Sequence, residues 1–354
     1  MQLDLLAGLL DRHLSDRIRQ PLRLEALPDK GLAHWHVRLK GAGLLARIPK
    51  QSQMDLAASA NLRYQCVCFQ RAAPSGHVPW LHSVIEPSDG MPRGALLVEE
   101  IVGMPASEPR HLAPIMQALA AIHALPVPVP QDCAPLLNEP DPLAGIVALI
   151  DAQARHLDHP TVPAASARAV KARLADLTQR MVPVVMDCPQ RLITFDAHPG
   201  NFLITPSGKA VLVDLEKLRY SYPPLDLAHA TLYTSTTWDR DASFELPTEA
   251  VARAYEVWAA AVGEAIAGPC RRALVPLVPL RELMWLWSVT WCAKWLAESA
   301  GSHRAGGDGE DWSARHSEAA LIEHVRGRVN DYLSIRCIER MLAEFHDLQA
   351  VLAT

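Results

Sequence analysis

Residues 191–229 read RLITFDAHPGNFLITPSGKAVLVDLEKLRYSYPPLDLAH, and this stretch decides how the rest of the chain is read. Leu192 and Ile193 lead into a polar cluster, and Phe202, Leu203 and Ile204 lead out of it. Between them stand Asp196, His198, Pro199, Gly200 and Asn201. A turn at Pro206-Ser207-Gly208 follows, and then the apolar run VLV ends on Asp214. A core segment that breaks for two carboxylates and an amide has the inventory that phosphoryl transfer from a nucleotide needs. One carboxylate orients the attacking hydroxyl and takes its proton. The amide and the second carboxylate hold a divalent cation against the phosphates. Oxygen donors suit Mg2+, which keeps several waters and so needs few protein ligands. Asp and Asn are also ordinary turn formers, so the weight falls on the combined spacing of Asp196, Asn201 and Asp214.

Working outward, 354 residues exceed one small core and predict two or more packed units. With 49% hydrophobic and 21% charged residues, the composition is that of an ordinary globular protein. Lys and Arg number 34 against 39 Asp and Glu, a net charge of −5 without a long run of one sign. Nucleic acid is therefore not an expected partner, since it would call for a concentrated basic surface. No run of about 20 apolar residues is present, so no membrane span is expected. The N-terminal MQLDLLAGLLDRHL carries Asp4 and Asp11 and lacks a basic lead, so it does not read as a signal peptide. The seven cysteines are scattered, and only Cys66 and Cys68 lie close together. They read as reduced thiols of a cytoplasmic protein.

The pattern along the chain changes near residue 102. A helix is expected at about 2–19, then a hairpin in which 34–40 (HWHVRLK) alternates and a Gly41-Ala42-Gly43 turn leads into GLLARIP. A helix over 55–72 and strand-like runs at 78–86 and 95–102 complete this part. Beyond Gly103, Leu112, Ile115, Met116, Leu119 and Ile122 recur at helical spacing. Helices are expected at 143–157 and 164–181, and from 225 onward the chain reads as almost wholly helical. A β-rich lobe over 1–101 and a larger helical lobe over 102–354 follow from this.

The segment 194–229 resembles the aminoglycoside phosphotransferase and choline kinase group of small-molecule kinases. Their signature is H-G-D-x-x-x-x-N, a hydrophobic strand ending in Asp, and a D-[LI]-A segment. Asp196, Asn201, Asp214 and Asp226-Leu227-Ala228 match it, and fainter similarity extends over most of 25–300. The resemblance implies an α+β, two-lobed, protein-kinase-like fold with a small β-rich N-lobe, a larger mainly helical C-lobe and a hinge at about 98–103. It implies ATP as donor, Mg2+ as cofactor and a small-molecule hydroxyl as acceptor. Asp196 would be the catalytic base, Asn201 and Asp214 the metal ligands, and Asp226 a structural acid. Glu216 would assist through a water. LLVEEIVG resembles the family hinge, where the carbonyl of Glu99 and the N–H of Ile101 would meet the nucleotide base. LPDKGLAHWHVRL resembles the nucleotide-positioning turn, centred on Gly31.

Three departures stand out. Thr194 replaces the His that opens the family motif and braces its loop. Arg47 stands where a phosphate-binding Lys is usual, with Lys50 three residues on as the other candidate. Gln65 or Tyr64 stands where that Lys normally finds an acidic partner. These departures motivate a second reading, a nucleotide-binding regulator with little or no turnover. A protein kinase is disfavoured because YPPLDLAHA follows Asp214 after about a dozen residues, leaving no activation segment. A zinc hydrolase built on His198 and the aspartates is a more distant alternative.

Further residues carry both a plain and a sharper reading. His198 is scaffold or an acid–base group. His34 and His36 form an H-x-H strand pair without a third ligand nearby in sequence. Trp287, Trp291 and Trp295 form one helical stripe, either core or a wall for a cationic acceptor. Asp239, Asp241 and Glu245 near Trp238 form a solvated loop or an acidic rim that would lean towards a cationic acceptor. Residues 301–316, GSHRAGGDGEDWSARH, read as a mobile loop over the pocket.

Overall fold

The computed structural model describes residues 6–8, 10, 23–181, 188–272, 274–301, 308–312 and 314–352. Its first part is a five-stranded antiparallel sheet built from β1 (Leu24–Ala26), β2 (His34–Leu39), β3 (Leu44–Pro49), β4 (Leu81–Ile85) and β5 (Ala95–Glu99). The spatial order is β1-β2-β3-β5-β4, so β3 is central. Gly41 and Gly43 make the β2–β3 turn at φ +79° and +66°, a region that side chains with a Cβ seldom enter. The period of two then sorts β5 cleanly. Ala95 and Leu97 join Val37, Leu39, Ala46 and Ile48 on one face. Leu96 and Val98 pack on the other against Leu62 and Phe69 of helix α1 (Ala58–Ala72). Leu6 and Leu10 cover the first face. The rest of the helix expected over 2–19 lies outside the described residues.

β5 ends at Glu99, and β6 (Met104–Pro105) already belongs to a second sheet with β8 (Phe202–Ile204) and β9 (Ala210–Leu212). The link between them is tight at Gly103, where a Cβ would stand 2.8 Å from the Ile204 carbonyl oxygen. Helix α2 (Leu112–His123) follows, and each of its periodic apolar residues is buried. Next come α3 (Pro142–Ala154), α4 (Ala164–Met181), strand β7 (Arg191–Ile193), the β8–β9 hairpin and β10 (Arg219–Ser221), which pairs with β7. The remainder is helical: α5 (Pro223–Thr231), α6 (Tyr233–Thr236), α7 (Thr248–Val262), α8 (Glu264–Arg272), α9 (Leu274–Glu298), α10 (Ala319–Tyr332) and α11 (Ile335–Leu352). The two-lobed, kinase-like arrangement expected from the resemblance is the one observed.

Helix α9 is the axis of the helical lobe and packs against α3, α4 and α5. It is apolar on most sides because it is surrounded by protein. No described helix is long and apolar enough to cross a membrane. Its two buried charges are both paired. Arg281 donates to Glu344 at 2.9 Å and to Thr231 Oγ1 at 2.6 Å, and Glu282 accepts from Arg173 and Arg180 at 2.6 Å each.

Two expectations are corrected here. The segment 308–312 is docked on the N-lobe: Ser52 N–H donates to the Gly309 carbonyl at 3.0 Å, Gly309 N–H to Leu56 at 2.9 Å, and Asp311 N–H to Gln51 Oε1 at 2.8 Å. The mobile loop expected from the sequence spans 301–316; residues 302–307 and 313 of it lie outside the described residues, while 308–312 meet partners more than 250 positions away. The reading of all cysteines as reduced thiols also fails, because Cys188 and Cys270 are joined as a disulfide. Their Cα atoms lie 4.5 Å apart, within bridging range.

Candidate active site

The loop after β7 is shaped by Asp226, which sits in the first turn of α5 and is wholly buried. Its two carboxylate oxygens accept the backbone N–H groups of Thr194 at 2.7 Å and Phe195 at 2.8 Å. They thereby hold Phe195 at φ +59°, a left-handed conformation that costs a non-glycine residue free energy. His123 on α2 approaches Asp226 through Nε2 at 3.0 Å, while Trp258 Nε1 donates to His123 Nδ1 at 2.9 Å. An indole N–H only donates, so Nδ1 is the acceptor and Nε2 carries the proton given to Asp226. Thr194, standing where the family has its bracing His, leaves its own Oγ1 buried without a partner. The imidazole brace comes from His123 on another element.

With its backbone held, the loop presents Asp196. One of its oxygens accepts from Lys217 Nζ at 2.7 Å, and the other lies 3.7 Å from His229 Nδ1. Burial works against the Asp196 carboxylate, but Lys217, helped by His198 and His229, holds it below its ordinary value. Burial also opposes the Lys217 ammonium, and Asp196 and Glu216 more than offset it, raising that group. Asn201 ties the loop together, its Nδ2 donating to the Asp196 carbonyl at 2.9 Å. The Asn201 carbonyl accepts from Val213 N–H at 2.9 Å, which brings Asn201 beside the strand end that carries Asp214. The hairpin across 206–208 thus joins the two residues as expected.

Arg47 reaches this strand end from β3. Its guanidinium donates to Asp214 Oδ1 at 2.7 Å and to the Val213 carbonyl at 2.6 Å. Burial opposes ionisation of Asp214, and Arg47, followed by His34 and Lys217, overrides it, so the carboxyl lies well below its usual range. Glu216 behaves oppositely: burial and the neighbouring Asp214 charge push its carboxyl up to about 8. Both Glu216 oxygens are buried without a partner. His34 is depressed to about 3 by burial and Arg47. It lies 3.9 Å from Glu216, but both are neutral near pH 7, so this contact is not an ion pair. Ligand atoms of His34, Asp214 and Glu216 fall within 4.8 Å of one another. His34 therefore has acidic neighbours, supplied by residues 180 positions away; His36 is not among this group.

Gln65, expected against Arg47, instead accepts through Oε1 from His34 Nε2 at 3.0 Å, and Tyr64 donates to the Leu218 carbonyl at 2.6 Å. Lys50, expected beside the phosphates, is buried and bound to Asp29 at 2.5 Å, to the Gly31 carbonyl at 2.8 Å and to Ser317 Oγ at 3.0 Å. It shapes the turn around Gly31 and leaves Arg47 as the cation at Asp214. A Cβ at Gly31 would meet nothing within 4 Å, so the turn is open there. Glu99 closes β5, its side chain accepting from Trp80 N–H at 3.2 Å; Ile101 follows in the link to β6.

The aromatic stripe divides. Trp287 borders the site, edge-on to Phe195 at 5.1 Å and to His229 at 5.3 Å. Trp291 packs with Trp238 and Trp312, and Trp295 is core. Of the acidic trio, Asp241 pairs with Lys30 at 2.5 Å and Glu245 with Arg340 at 2.8 Å. Asp239 lies against Gly200 and accepts Asp241 N–H at 2.7 Å. Sequence reading passed over Lys217, His123, Trp258 and His229. His123 carried a signal, an imidazole on the apolar face of α2; Lys217 looked like any surface lysine.

Residues 28–266 match the model of the phosphotransferase enzyme family. No curated protein matches the chain by sequence. A choline/ethanolamine kinase family protein from Mesorhizobium loti is similar in structure, with a TM-score of 0.59 at 18% identity over 98% of this chain and 99% of that one. The GDP complex of aminoglycoside 2'-phosphotransferase-IIIa aligns at 0.59 with 16% identity, over 93% and 97%. The choline kinase LicA of Streptococcus pneumoniae aligns at 0.55 with 12% identity, over 92% and 99%. At such identities the structures speak for the fold alone. The family model carries the assignment, since it spans both the Arg47 strand and the Asp196–Asp226 segment, and the chain belongs to the phosphotransferase enzyme family.

Proposed function

We propose that this protein transfers the γ-phosphoryl group of ATP to a hydroxyl of a small molecule, with Mg2+ as cofactor. The observation that carries the reading is the convergence of Asp196, Asn201 and Asp214 on one loop and hairpin. Asp196 takes the proton of the attacking hydroxyl, and Lys217 keeps that carboxylate ionised. Arg47 supplies a permanent positive charge at the phosphate end. Asn201 and Asp214, with Glu216, are the residues that would hold Mg2+. Their hard oxygen donors fit the ion, and the two unpartnered Glu216 oxygens are those a cation would satisfy. When bound, the ion neutralises charge developing on the phosphates. The nucleotide would lie between the lobe over 1–101 and the lobe over 102–354, its base at Glu99 and Ile101 and its phosphates under the Gly31 turn. ATP places the reaction in the cytoplasm, where most thiols stay reduced and the Cys188–Cys270 pair would be an exception.

The test is nucleotide consumption with Mg2+ across hydroxylated metabolites and antibiotics, run with ATP and with GTP. Acceptor-dependent ADP formation is expected, and Asp196→Ala should lower kcat by roughly 10²–10⁴, the usual worth of a positioned base. Near wild-type turnover in that variant would remove Asp196 from its role. Asp214→Ala should abolish Mg2+-dependent nucleotide binding in calorimetric titrations. ATP binding without turnover of any acceptor would favour the regulatory reading that Thr194, Arg47 and Gln65 suggest.

A further inference from the structure

We infer that Lys217 selects the acceptor: its ammonium fills the seat between Asp196 and Trp287 that a cationic acceptor would use, so the acceptor is an uncharged polyhydroxyl compound. This inference rests on the phosphotransfer reading above and names its substrate class. A carboxylate beside an aromatic face is the arrangement that binds an organic ammonium. Here Lys217 Nζ lies 2.7 Å from Asp196 Oδ2 and 5.1 Å from the centre of the Trp287 ring. The Lys217 side chain is only 11% exposed, so it has little freedom to swing out into water.

The same saturation recurs around the site. Phe195, edge-on to Trp287, has the Arg219 guanidinium 3.7 Å from its ring centre. Tyr233 on α6 has Arg340 at 4.1 Å. Asp241 and Glu245, the rim that would attract a cation, are paired with Lys30 and Arg340. An incoming ammonium would have to displace one of the protein's own cations and leave it buried or repelled.

Groups suited to hydroxyls, in contrast, are unengaged. Helix α6 packs on the turn at Pro199–Asn201, and its Thr234, Ser235 and Thr236 hydroxyls are buried without a hydrogen-bond partner. His198 Nδ1 and His229 Nδ1 are likewise unpartnered, and the latter is 3.7 Å from Asp196. Asp239, against Gly200, has no side-chain cation among the described residues and can accept hydroxyl protons. Unsatisfied buried polar groups of this kind cost free energy until a ligand pairs them. A neutral polyol can hydrogen-bond beside Asp196 without unseating Lys217.

The test compares choline with its uncharged isostere 3,3-dimethyl-1-butanol, and kanamycin with ribose, glucose, glycerol and myo-inositol. Binding is read by calorimetry and turnover by ADP formation. Wild type should show no saturable choline or kanamycin binding and should turn over at least one of the polyols. Lys217→Met should bind choline about tenfold more tightly than wild type or better, while Lys217→Arg, which keeps a cation in the seat, should still exclude it. Wild-type phosphorylation or saturable binding of choline or kanamycin would overturn the inference, as would a folded Met variant no better than wild type. If the Met variant does not fold, the wild-type comparison decides alone. Choline exclusion that Lys217→Met relieves, without transfer to any acceptor, would support the role of Lys217 and sink the proposed activity.

Discussion

Asp226 and Asp214 both stand behind the loop at 194–201, yet their surroundings differ in kind. Asp226 is closed off: two backbone N–H groups and the His123 imidazole meet its oxygens, and Trp258 fixes the imidazole in turn. Asp214 is met by a single guanidinium from the other lobe, and Glu216 beside it has nothing on either oxygen. A fully paired buried network holds shape, whereas a partly paired one carries a free-energy cost that a ligand can relieve. The contrast separates scaffold from working surface among carboxylates that look alike in sequence.

The largest way to break this contrast is Asp226→Ala. It strips the acceptor from Thr194, Phe195 and His123 together and leaves Phe195 in a costly conformation without support. A loss of roughly 3–5 kcal/mol of stability is expected, as when one partner of a buried charged network is removed. Urea unfolding measures it, and a loss below about 1 kcal/mol would show that the loop is braced elsewhere.

Glu216→Gln sharpens the other half. The folded-state pKa of Glu216 is about 8 against an ordinary 4.5, so the folded protein holds a proton that the unfolded chain releases. Between those values the unfolded state binds fewer protons, and stability falls as pH rises. Without divalent cation, the Glu216 contribution, read as wild type minus Glu216→Gln, should fall from pH 5 to pH 8 by about 3–4 kcal/mol. Added Mg2+ should restore stability at the upper end, because the ion takes the place of the proton. The Gln variant should lack this fall and keep only the rise towards pH 6.5 that His34, His36 and His229, held neutral mainly by burial, contribute; an unchanged difference between the two proteins would assign the titration to another group.

The comparison also shows where sequence reading reached its limit. The alternation at 34–40, the helical spacing of Leu112 to Ile122 and the Asp196–Asn201–Asp214–Asp226 spacing are local, because each follows from a backbone period or a short loop. The partners of those residues are not local. Lys217 meets Asp196 across 21 positions and Arg47 meets Asp214 across 167, and no periodicity marks either side chain. Gln65 sits where an Arg47 partner was expected, but His34 from the facing strand intercepts it. The docking of 308–312 and the Cys188–Cys270 bond likewise depend on how distant elements close on each other.

The smallest effect belongs to two lysines that begin in the same N-lobe segment. Lys50 is buried against Asp29, the Gly31 carbonyl and Ser317, so it links the Gly31 turn to the C-lobe from inside. Lys30, one residue from that turn, reaches Asp241 across the surface at 2.5 Å, with the two side chains 56% and 52% exposed. Both contacts join the lobes, but water and salt screen only the second. Exposed ion pairs are worth about 0–1 kcal/mol once side-chain entropy is counted. Asp241→Ala should therefore shift stability by about 0.5 kcal/mol or less, and high salt should erase even that difference in a denaturation series. A shift several times larger that survived salt would mean that the lobes are held together at the rim, and that the buried latch at Lys50 is not what sets the position of the Gly31 turn.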